Sequence, residues 1–496
     1  MINVSVLVGL MLLGCSSSAW AGAALLRIPA VVHSHSSWST GDQSLEQLVG
    51  LAGRRGVEAV FLAENFFQRF EYGLPPLRGL LRYRVEFPSI LEKGPQEFLD
   101  AVSAVNARQK RVLLIPGVEV IPHSYWTGSL LNGTLTMHDG QKNILALGLS
   151  RPADYREIPA TGNPHHERWG WWSLLLVSPV LLLVVGGWLF TQKRRRVVRL
   201  ERFQLVETRR PIGLALTVTG IGLALLANNF PFRVSPISHY DAHVGLRPFQ
   251  AMIDHIDSRG GLAVWSLPEA RDNQTVRVAW FTAAIKTVPA PDDLLRTHGF
   301  AAFGGVYEDT TTFTRPGGEW DHLLLDFLVG RRKSPAWAIG EAAYHHEGQA
   351  GKRFGEVQTV ILSERKDSTG LIQAFKAGRM YAMRRSGESG LALERFQVVV
   401  SGLPPALAGG QLALPAEARP EVQVAVTGSG PVPMQVAARL IRNGCVVHAV
   451  TGHTPLTIAW TDKDVKPGAR AYYRLEVNGA GGHQILSNPI FVTANK

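Results

Sequence analysis

The chain has 496 residues, of which 46% are apolar and 18% are charged, and its formal net charge is +11. This composition is that of a globular protein with room for two or three domains, and it excludes a mainly disordered chain. Most of the positive excess lies in residues 191–210, which carry eight lysines and arginines against Glu201 and Glu207. Two apolar segments flank this stretch, so a cytoplasmic loop between membrane spans explains the charge, and we expect no nucleic-acid binding.

Residues 1–21 have the pattern of a secretory signal peptide: a short apolar core over residues 6–13, then the small-residue site Ala19-Trp20-Ala21. Residues 12–15 also resemble a lipoprotein box, which would acylate Cys15, and we rank this second. The only other cysteine is Cys445, so a chain cut after residue 21 has no internal disulfide. We expect Cys445 to be a buried strand residue.

Residues 22–168 alternate strand-like and helical patterns. Short apolar runs at residues 28–32, 57–63 and 112–115 are typical of buried strands, and residues 45–55 have helical spacing that stops at Gly56. This order of strand, helix and strand predicts an α/β domain with parallel strands.

Residues 169–232 are predicted to form a transmembrane hairpin. Residues 171–190 and 211–230 are two uncharged apolar runs, each long enough, at ~1.5 Å per residue, to cross a hydrocarbon core of about 30 Å. Buried core helices are the alternative, which we disfavour because core helices of this length rarely lack a charged face. The basic loop 191–210 should be cytoplasmic, which places both flanks outside, and the signal peptide independently exports the first flank. We therefore expect a protein of the bacterial inner (cytoplasmic) membrane with its bulk in the periplasm.

The alternation resumes over residues 233–388, with a helix at 249–258 and a strand at 262–264, which indicates one domain interrupted by the hairpin. Residues 389–496 change to short strands separated by Gly/Pro turns. Their pattern at residues 396–400, 422–426, 445–450 and 472–477 predicts an immunoglobulin-like β-sandwich.

Histidines and carboxylates follow several of the predicted strands. His33 and His35 come directly after strand 28–32, and residues i and i+2 of an extended chain point the same way. Glu64 ends the second strand, Glu119 follows the third, and His345 follows the apolar run 337–340. Because ligand sites of α/β proteins gather at the carboxyl ends of strands, these five residues predict a site for one or more divalent ions, zinc, manganese or iron.

These segments resemble the polymerase and histidinol phosphatase (PHP) superfamily. The likeness rests on residues 33–35, the helix and strand on either side of Gly56, and residues 115–119, 260–264 and 371–382, and it covers roughly residues 28–150 and 240–385. The resemblance implies a distorted seven-stranded α/β barrel, split here by the transmembrane hairpin, with two or three metal ions at the strand ends. It also implies hydrolysis, mostly of phosphoesters.

The chain departs from the family pattern at three places. Asn65 stands where the family has the histidine of Thr-Asp-His, Leu267 stands where it has the histidine of His-Pro, and Ala343 replaces the aspartate of Asp-x-His. Two functions therefore remain open. One is an extracytoplasmic, membrane-anchored hydrolase acting on a phosphoester. The other is a catalytically degenerate domain that binds a small-molecule ligand or an unidentified protein partner at the cell envelope.

Overall fold

The computed structural model describes residues 25–495 except 131, 202, 279–280, 308–310, 388 and 431. The predicted signal peptide and Cys15 therefore lie outside the described residues.

Strands and helices alternate through residues 25–168, as the sequence predicts. The first helix begins with a capping box: the Ser44 hydroxyl accepts from the Gln47 backbone N–H at 3.2 Å, and the Gln47 side chain accepts from the Ser44 N–H at 2.8 Å. The elements are β1 (Leu26–Ser34), α1 (Leu45–Arg54), β2 (Ala59–Leu62), β3 (Glu64–Asn65), β4 (Gln68–Gly73), β5 (Arg82–Phe87), α2 (Ile90–Lys93), α3 (Pro95–Arg108), β6 (Leu113–Ile115), β7 (Gly117–Val120), β8 (Tyr125–Thr127), β9 (Thr136–His138), β10 (Ile144–Leu147) and α4 (Pro152–Arg156).

Two helical segments, Ser173–Thr191 and Ile212–Asn229, are long and apolar enough to cross a membrane, and both are mostly exposed in the isolated chain. The first is broken at Pro179, which lacks an N–H. The basic stretch between them, expected as a loop, is instead a two-stranded hairpin in which Arg194 pairs with Arg209 and Leu200 with Phe203. The elements are α5 (Ser173–Val177), α6 (Val180–Thr191), β11 (Arg194–Leu200), β12 (Phe203–Arg209) and α7 (Ile212–Asn229).

After this pair of helices the α/β pattern returns, as predicted, with the expected helix and strand at α8 and β13. The elements are α8 (Arg247–Ser258), β13 (Leu262–Trp265), β14 (Asp272–Val278), β15 (Phe281–Thr287), α9 (Pro291–Arg296), β16 (Ala302–Val306), α10 (Glu319–Leu328), β17 (Trp337–Gly340), β18 (Val357–Ser363), α11 (Ser368–Lys376) and β19 (Met380–Arg384).

The described residues beyond 389 form strands, as predicted, apart from one short 3₁₀ turn. Cys445 begins one of them, an edge strand, and it is exposed rather than buried as expected. The strands are β20 (Gly390–Val399), β21 (Ala406–Leu407), β22 (Gln411–Leu414), β23 (Glu421–Ser429), β24 (Gln435–Arg442), β25 (Cys445–His453), β26 (Leu456–Thr461), β27 (Arg470–Gly479), β28 (His483–Ser487) and β29 (Ile490–Ala494).

Two sheets position the candidate site. In the first, β1, β2 and β6 are parallel, as predicted, and β18 pairs antiparallel with β1. The second runs in the order β17-β16-β13-β10-β7-β3, with β10 antiparallel to both neighbours, an arrangement that the sequence did not predict. A parallel bridge between Ser34 and Tyr344 joins the end of β1 to the segment after β17. The carboxyl ends of β1 and β17 therefore meet, and the end of β7 lies beside β3.

A buried ion pair joins the C-terminal strands to the α/β part. Arg474 on β27 places Nε and Nη2 each 2.7 Å from the two carboxylate oxygens of Asp321 on α10, and the Tyr472 hydroxyl donates to the same carboxylate at 2.6 Å. All three side chains are fully buried. Because a charge left unpaired in the interior carries its full desolvation penalty, each partner of this pair depends on the other.

We expect Asp321→Ala to lower the free energy of unfolding by about 3–5 kcal/mol, since it leaves the Arg474 guanidinium buried without a counter-charge. Thermal unfolding of the full chain measures this. Asp326→Ala on the same helix is the matched control: Asp326 pairs with an exposed arginine, Arg331, and its loss should cost less than about 1 kcal/mol. Equal losses in the two variants would contradict the assignment.

Candidate metal centre

Three of the predicted ligands converge at the ends of β1 and β7. The Nε2 atoms of His33 and His35 are 3.2 Å apart, and they lie 3.4 Å and 3.6 Å from the two carboxylate oxygens of Glu119. Both histidines are buried, and the Glu119 side chain is 16% exposed. The three side chains could therefore hold a metal ion that remains open to solvent on one side.

The spacing of these atoms fits one ion. Zinc bonds to histidine nitrogen and carboxylate oxygen are about 2.0–2.2 Å long, so two ligand atoms at a tetrahedral angle lie roughly 3.3–3.6 Å apart. The two histidine nitrogens, 3.2 Å apart, are close to this edge length, and they lie 3.4 Å and 3.6 Å from different oxygens of the Glu119 carboxylate. Three protein ligands are typical of catalytic zinc sites, which keep a further position for water or substrate.

Glu341, which the sequence analysis missed, orients His33. Its carboxylate accepts from His33 Nδ1 at 2.6 Å, from the Ser266 hydroxyl at 2.5 Å and from the Leu267 backbone N–H at 3.0 Å. A proton held on Nδ1 leaves Nε2 free as a metal ligand, which is how carboxylates support histidine ligands in metal sites. The available signal was its position, directly after strand β17, just as Glu119 lies at the end of the β6–β7 segment.

Opposite charges set the protonation of the cluster. Burial alone would lower the pKa of His33, but Glu119 and Glu341 raise it to about 9. Burial alone would raise the pKa of Glu119, but His33 and His35 lower it to about 2. Asn143 donates a further hydrogen bond to Glu119. Negative charge thus favours a cation at this position, whether a proton or a metal ion.

Glu64, a predicted ligand, is not part of the three-residue cluster. Its carboxylate accepts from the Ser36 backbone N–H at 2.9 Å, from the Ser36 hydroxyl at 2.5 Å, and from the Ser39 hydroxyl. Ser39 in turn lies 3.2 Å from His35 Nδ1. Burial raises the pKa of Glu64 to about 7, although the two serines act to lower it. Glu64 therefore acts on the site through the turn that follows His35.

His345, the fifth predicted ligand, stacks on His35 with ring centroids 3.9 Å apart and an interplanar angle of 9°. Its Nδ1 lies 2.9 Å from the Thr40 hydroxyl. Burial, and after it the charge of His33, lower the pKa of His345 to about 4, so its imidazole is neutral at pH 7. The structure thus places His345 beside the cluster and outside the three-ligand set.

Three residues near the site have an uncommon backbone. Leu267 has φ 39° and Ala343 has φ 43°, values that L-residues other than Asn and Asp rarely adopt, and His33 itself has φ 69°. Leu267 follows β13, Ala343 follows β17, and His33 lies near the end of β1. Such strain persists only where the surroundings enforce it, and it is commonest at functional sites.

No family model matches the chain, and no curated protein matches its sequence. One similar solved structure is a two-domain protein of Bacteroides vulgatus described as containing a predicted PHP-like metal-dependent phosphoesterase. Its identity is 12%, over 91% of this chain and 92% of that one, with a TM-score of 0.36. Another is an amidohydrolase of Chromobacterium violaceum with bound sulfate and no metal: 13% identity over 64% and 88%, with a TM-score of 0.26. At these TM-scores, function has to be argued from the residues themselves.

We expect the pKa of Glu64 to appear as a pH dependence of stability. Its pKa of about 7 in the fold exceeds the ordinary 4.5, so its stabilising protonation is complete below pH 4.5 and is lost as the pH rises through 7. Between pH 5 and pH 8 this group should cost the metal-free protein about 3 kcal/mol, and Glu64→Gln should abolish that loss. Thermal melts across this range measure it, and parallel curves for the two proteins would contradict it.

Proposed function

We propose that this chain is a membrane-anchored, metal-dependent hydrolase with a PHP-like domain that acts on a phosphoester at the periplasmic face of the bacterial inner membrane. The observation that carries the proposal is the convergence of His33 Nε2, His35 Nε2 and the Glu119 carboxylate, which lie close enough together to bind one metal ion.

In the proposed architecture, residues 22–168 and 233–388 form one distorted seven-stranded α/β barrel and residues 389–496 form an immunoglobulin-like sandwich. The bridge between Ser34 and Tyr344 supports the barrel, because it brings together strands from the two sheets. The sandwich is supported by a shared apolar core between the sheet of β20, β23 and β26 and the strands around β27. The residues before 22 would be the signal peptide.

The two apolar helices support the membrane anchor. The outer end of the first helix carries exposed tryptophans, with Trp169, Trp171 and Trp172 between 60% and 77% exposed, where indoles favour the membrane interface. The other ends of the two helices are joined by the basic hairpin of β11 and β12, which the positive-inside rule places in the cytoplasm. This orientation puts both parts of the α/β domain on the periplasmic side.

The residues of the proposed site have separate roles in metal binding, ligand orientation and charge. His33, His35 and Glu119 would hold the ion, which in such sites activates water and polarises a phosphoryl oxygen. Glu341 orients the His33 ring by a hydrogen bond at Nδ1, and the Ser39 hydroxyl contacts Nδ1 of His35. The Lys352 ammonium group donates to the Ala343 carbonyl oxygen at 3.0 Å, and its charge acts on His35 and His345. A positive charge in this place favours an anionic substrate.

The second candidate function is a domain that binds its ligand without turning it over. It is favoured by Asn65, Leu267 and Ala343, because leucine and alanine provide no metal ligand and the side-chain amide of Asn65 donates to the Thr40 hydroxyl and the Pro88 carbonyl oxygen, at 3.4 and 3.5 Å. A single ion is what the remaining ligands support, which distinguishes this site from a multi-metal cluster.

We expect the purified full chain to carry one equivalent of zinc, manganese or iron by elemental analysis and to hydrolyse p-nitrophenyl phosphate. A His33→Ala/His35→Ala variant should lose both, because it removes two of three ligands. His138→Ala/His448→Ala, which changes two histidines outside the cluster, should keep both. No metal in the wild type, even after reconstitution, would overturn the metal site, and stoichiometric metal without turnover would favour the binding function.

We expect Glu341→Gln to weaken metal binding by about 10–100-fold, since the amide cannot hold the His33 Nδ1 proton as the carboxylate does. Competition with a chromophoric chelator measures the affinity. Glu364→Gln, an exposed carboxylate on the opposite end of β18, is the matched control. Equal affinities in all three proteins would show that Glu341 has no part in the site.

A further inference from the structure

The hairpin of β4 and β5 follows directly on Glu64 and Asn65 and is an amphipathic ribbon. One face carries ion pairs: Arg84 reaches Glu71 at 2.7 Å, Arg82 reaches the same carboxylate at 3.3 Å, and Arg69 pairs with Glu86. Because side chains alternate along a strand, the residues between these form the other face. That second face is apolar apart from Gln68.

The apolar face remains exposed along β5. Leu81 is 54% exposed, Tyr83 is 39% exposed and Phe87 is 37% exposed, with Val85 half-buried between them. On β4, by contrast, the same face packs inward: Tyr72 is buried against Trp126. The edge strand thus presents a continuous apolar stripe, residues 81–87, about 20 Å long at ~3.3 Å per residue.

One end of this stripe lies at the membrane helices. The Asn228 side-chain oxygen, near the outer end of α7, accepts from the backbone N–H groups of Gly79 at 2.7 Å and Leu80 at 3.3 Å. The approach is so close that a Cβ on Gly79 would lie 2.1 Å from the Asn228 carbonyl oxygen. Leu80 is 45% exposed and Phe230, two residues beyond Asn228, is 73% exposed. Leu80 and Phe230 are therefore exposed apolar groups near the outer end of α7.

The other end of the stripe lies near residues that border a candidate metal ligand. Phe87 lines a cavity of about 80 Å³ whose other lining residues include Phe67, Gln68 and the charged side chains of Arg69, Glu86 and Glu92. Phe67 and Gln68 also line a smaller cavity of about 20 Å³ together with Glu119 and Asn143. Phe67 and Gln68 are therefore common to the surroundings of the stripe and of Glu119.

The segment that follows α7 contacts the loop that follows Glu119. His123, three residues after β7, places Nε2 3.0 Å from the Asp241 carbonyl oxygen, and the Trp126 N–H donates to the His239 carbonyl oxygen at 2.8 Å. Residues just beyond α7 thus pack on the loop that follows Glu119.

We infer that the substrate of the proposed hydrolase is an amphiphilic phosphoester, a lipid whose apolar chain lies along the stripe of residues 81–87 while its phosphate group reaches the centre of His33, His35 and Glu119. The inference rests on the proposed function and adds the class of substrate to it. In the proposed orientation the tip of the stripe lies at the outer leaflet of the membrane. The apolar chain of the lipid can therefore stay in contact with an apolar surface while its phosphate group reaches the site.

The test is the binding of n-alkylphosphonates, methyl to octyl, to the manganese-loaded full chain in lipid nanodiscs, measured by calorimetry against protein-free discs. We expect affinity to rise two- to fourfold per added methylene, as burial of a CH₂ group predicts. Tyr83→Ser/Phe87→Ser should flatten this trend relative to methylphosphonate. Arg84→Ser, on the charged face of the same strand, should keep it, and retained manganese shows that each variant is folded.

The outcomes separate the two proposals. Binding of every phosphonate with equal affinity would overturn the lipid substrate and leave the phosphoester site intact. A trend with chain length that the double variant keeps would overturn the role of the stripe and with it this inference. Absence of binding even by methylphosphonate would overturn the phosphoester site itself.

Discussion

The contact between His33 and Glu341, 2.6 Å long and wholly buried, is the interaction on which the candidate site depends. It ties the end of β1 to the end of β17 across 308 positions of sequence. Ser266, at the end of β13, donates to the same carboxylate, so three strand ends are fixed by one group. A buried carboxylate needs such partners, because an ionised group without them would cost more than the fold could sustain. The requirement to satisfy Glu341 therefore fixes the position of a metal ligand.

The sequence predicts the parts of this arrangement that follow from local patterns. The strand before His33, the helix that ends at Gly56 and the two apolar helices are all marked by periodicity or by length. The spacing of His33 and His35 also predicts that the two rings face one point. The role of Glu341 cannot be predicted from a local pattern. It depends on how the end of β1 meets the end of β17, and the two contacting residues are 308 positions apart in the chain. The displacement of Glu64 likewise depends on the turn of residues 36–39, where a backbone N–H and two hydroxyls satisfy its carboxylate instead of an ion.

The strained backbone at Leu267 and Ala343 contributes to the shape of the site independently of the chemistry of the two side chains. A positive φ at a leucine or alanine costs of order 1–3 kcal/mol and persists where neighbouring contacts enforce it. At Leu267 the contact that enforces the positive φ is the hydrogen bond from its backbone N–H to the Glu341 carboxylate. The turn at this strand end therefore serves the carboxylate that orients His33, whatever side chain it carries. A residue at such a turn can therefore support His33 through its backbone while its side chain provides no metal ligand.

The position of the two apolar helices in the chain explains how the sheet can accommodate them. They lie in the connection between β10 and β13, two strands that pair antiparallel with each other, Ile144 opposite Trp265 and Leu147 opposite Leu262. An insertion between paired neighbours leaves every strand contact of the sheet intact, and the entropy of closing a connection grows only slowly with its length. The chain leaves β10 at Leu147 and returns to β13 through α8, which packs on the same sheet. Between these points Thr161 donates its N–H to the Pro122 carbonyl oxygen, which brings the connection to the Glu119 edge before the first helix begins. The sheet thus brings the connection that contains the helices close to the edge that carries the candidate metal ligand Glu119.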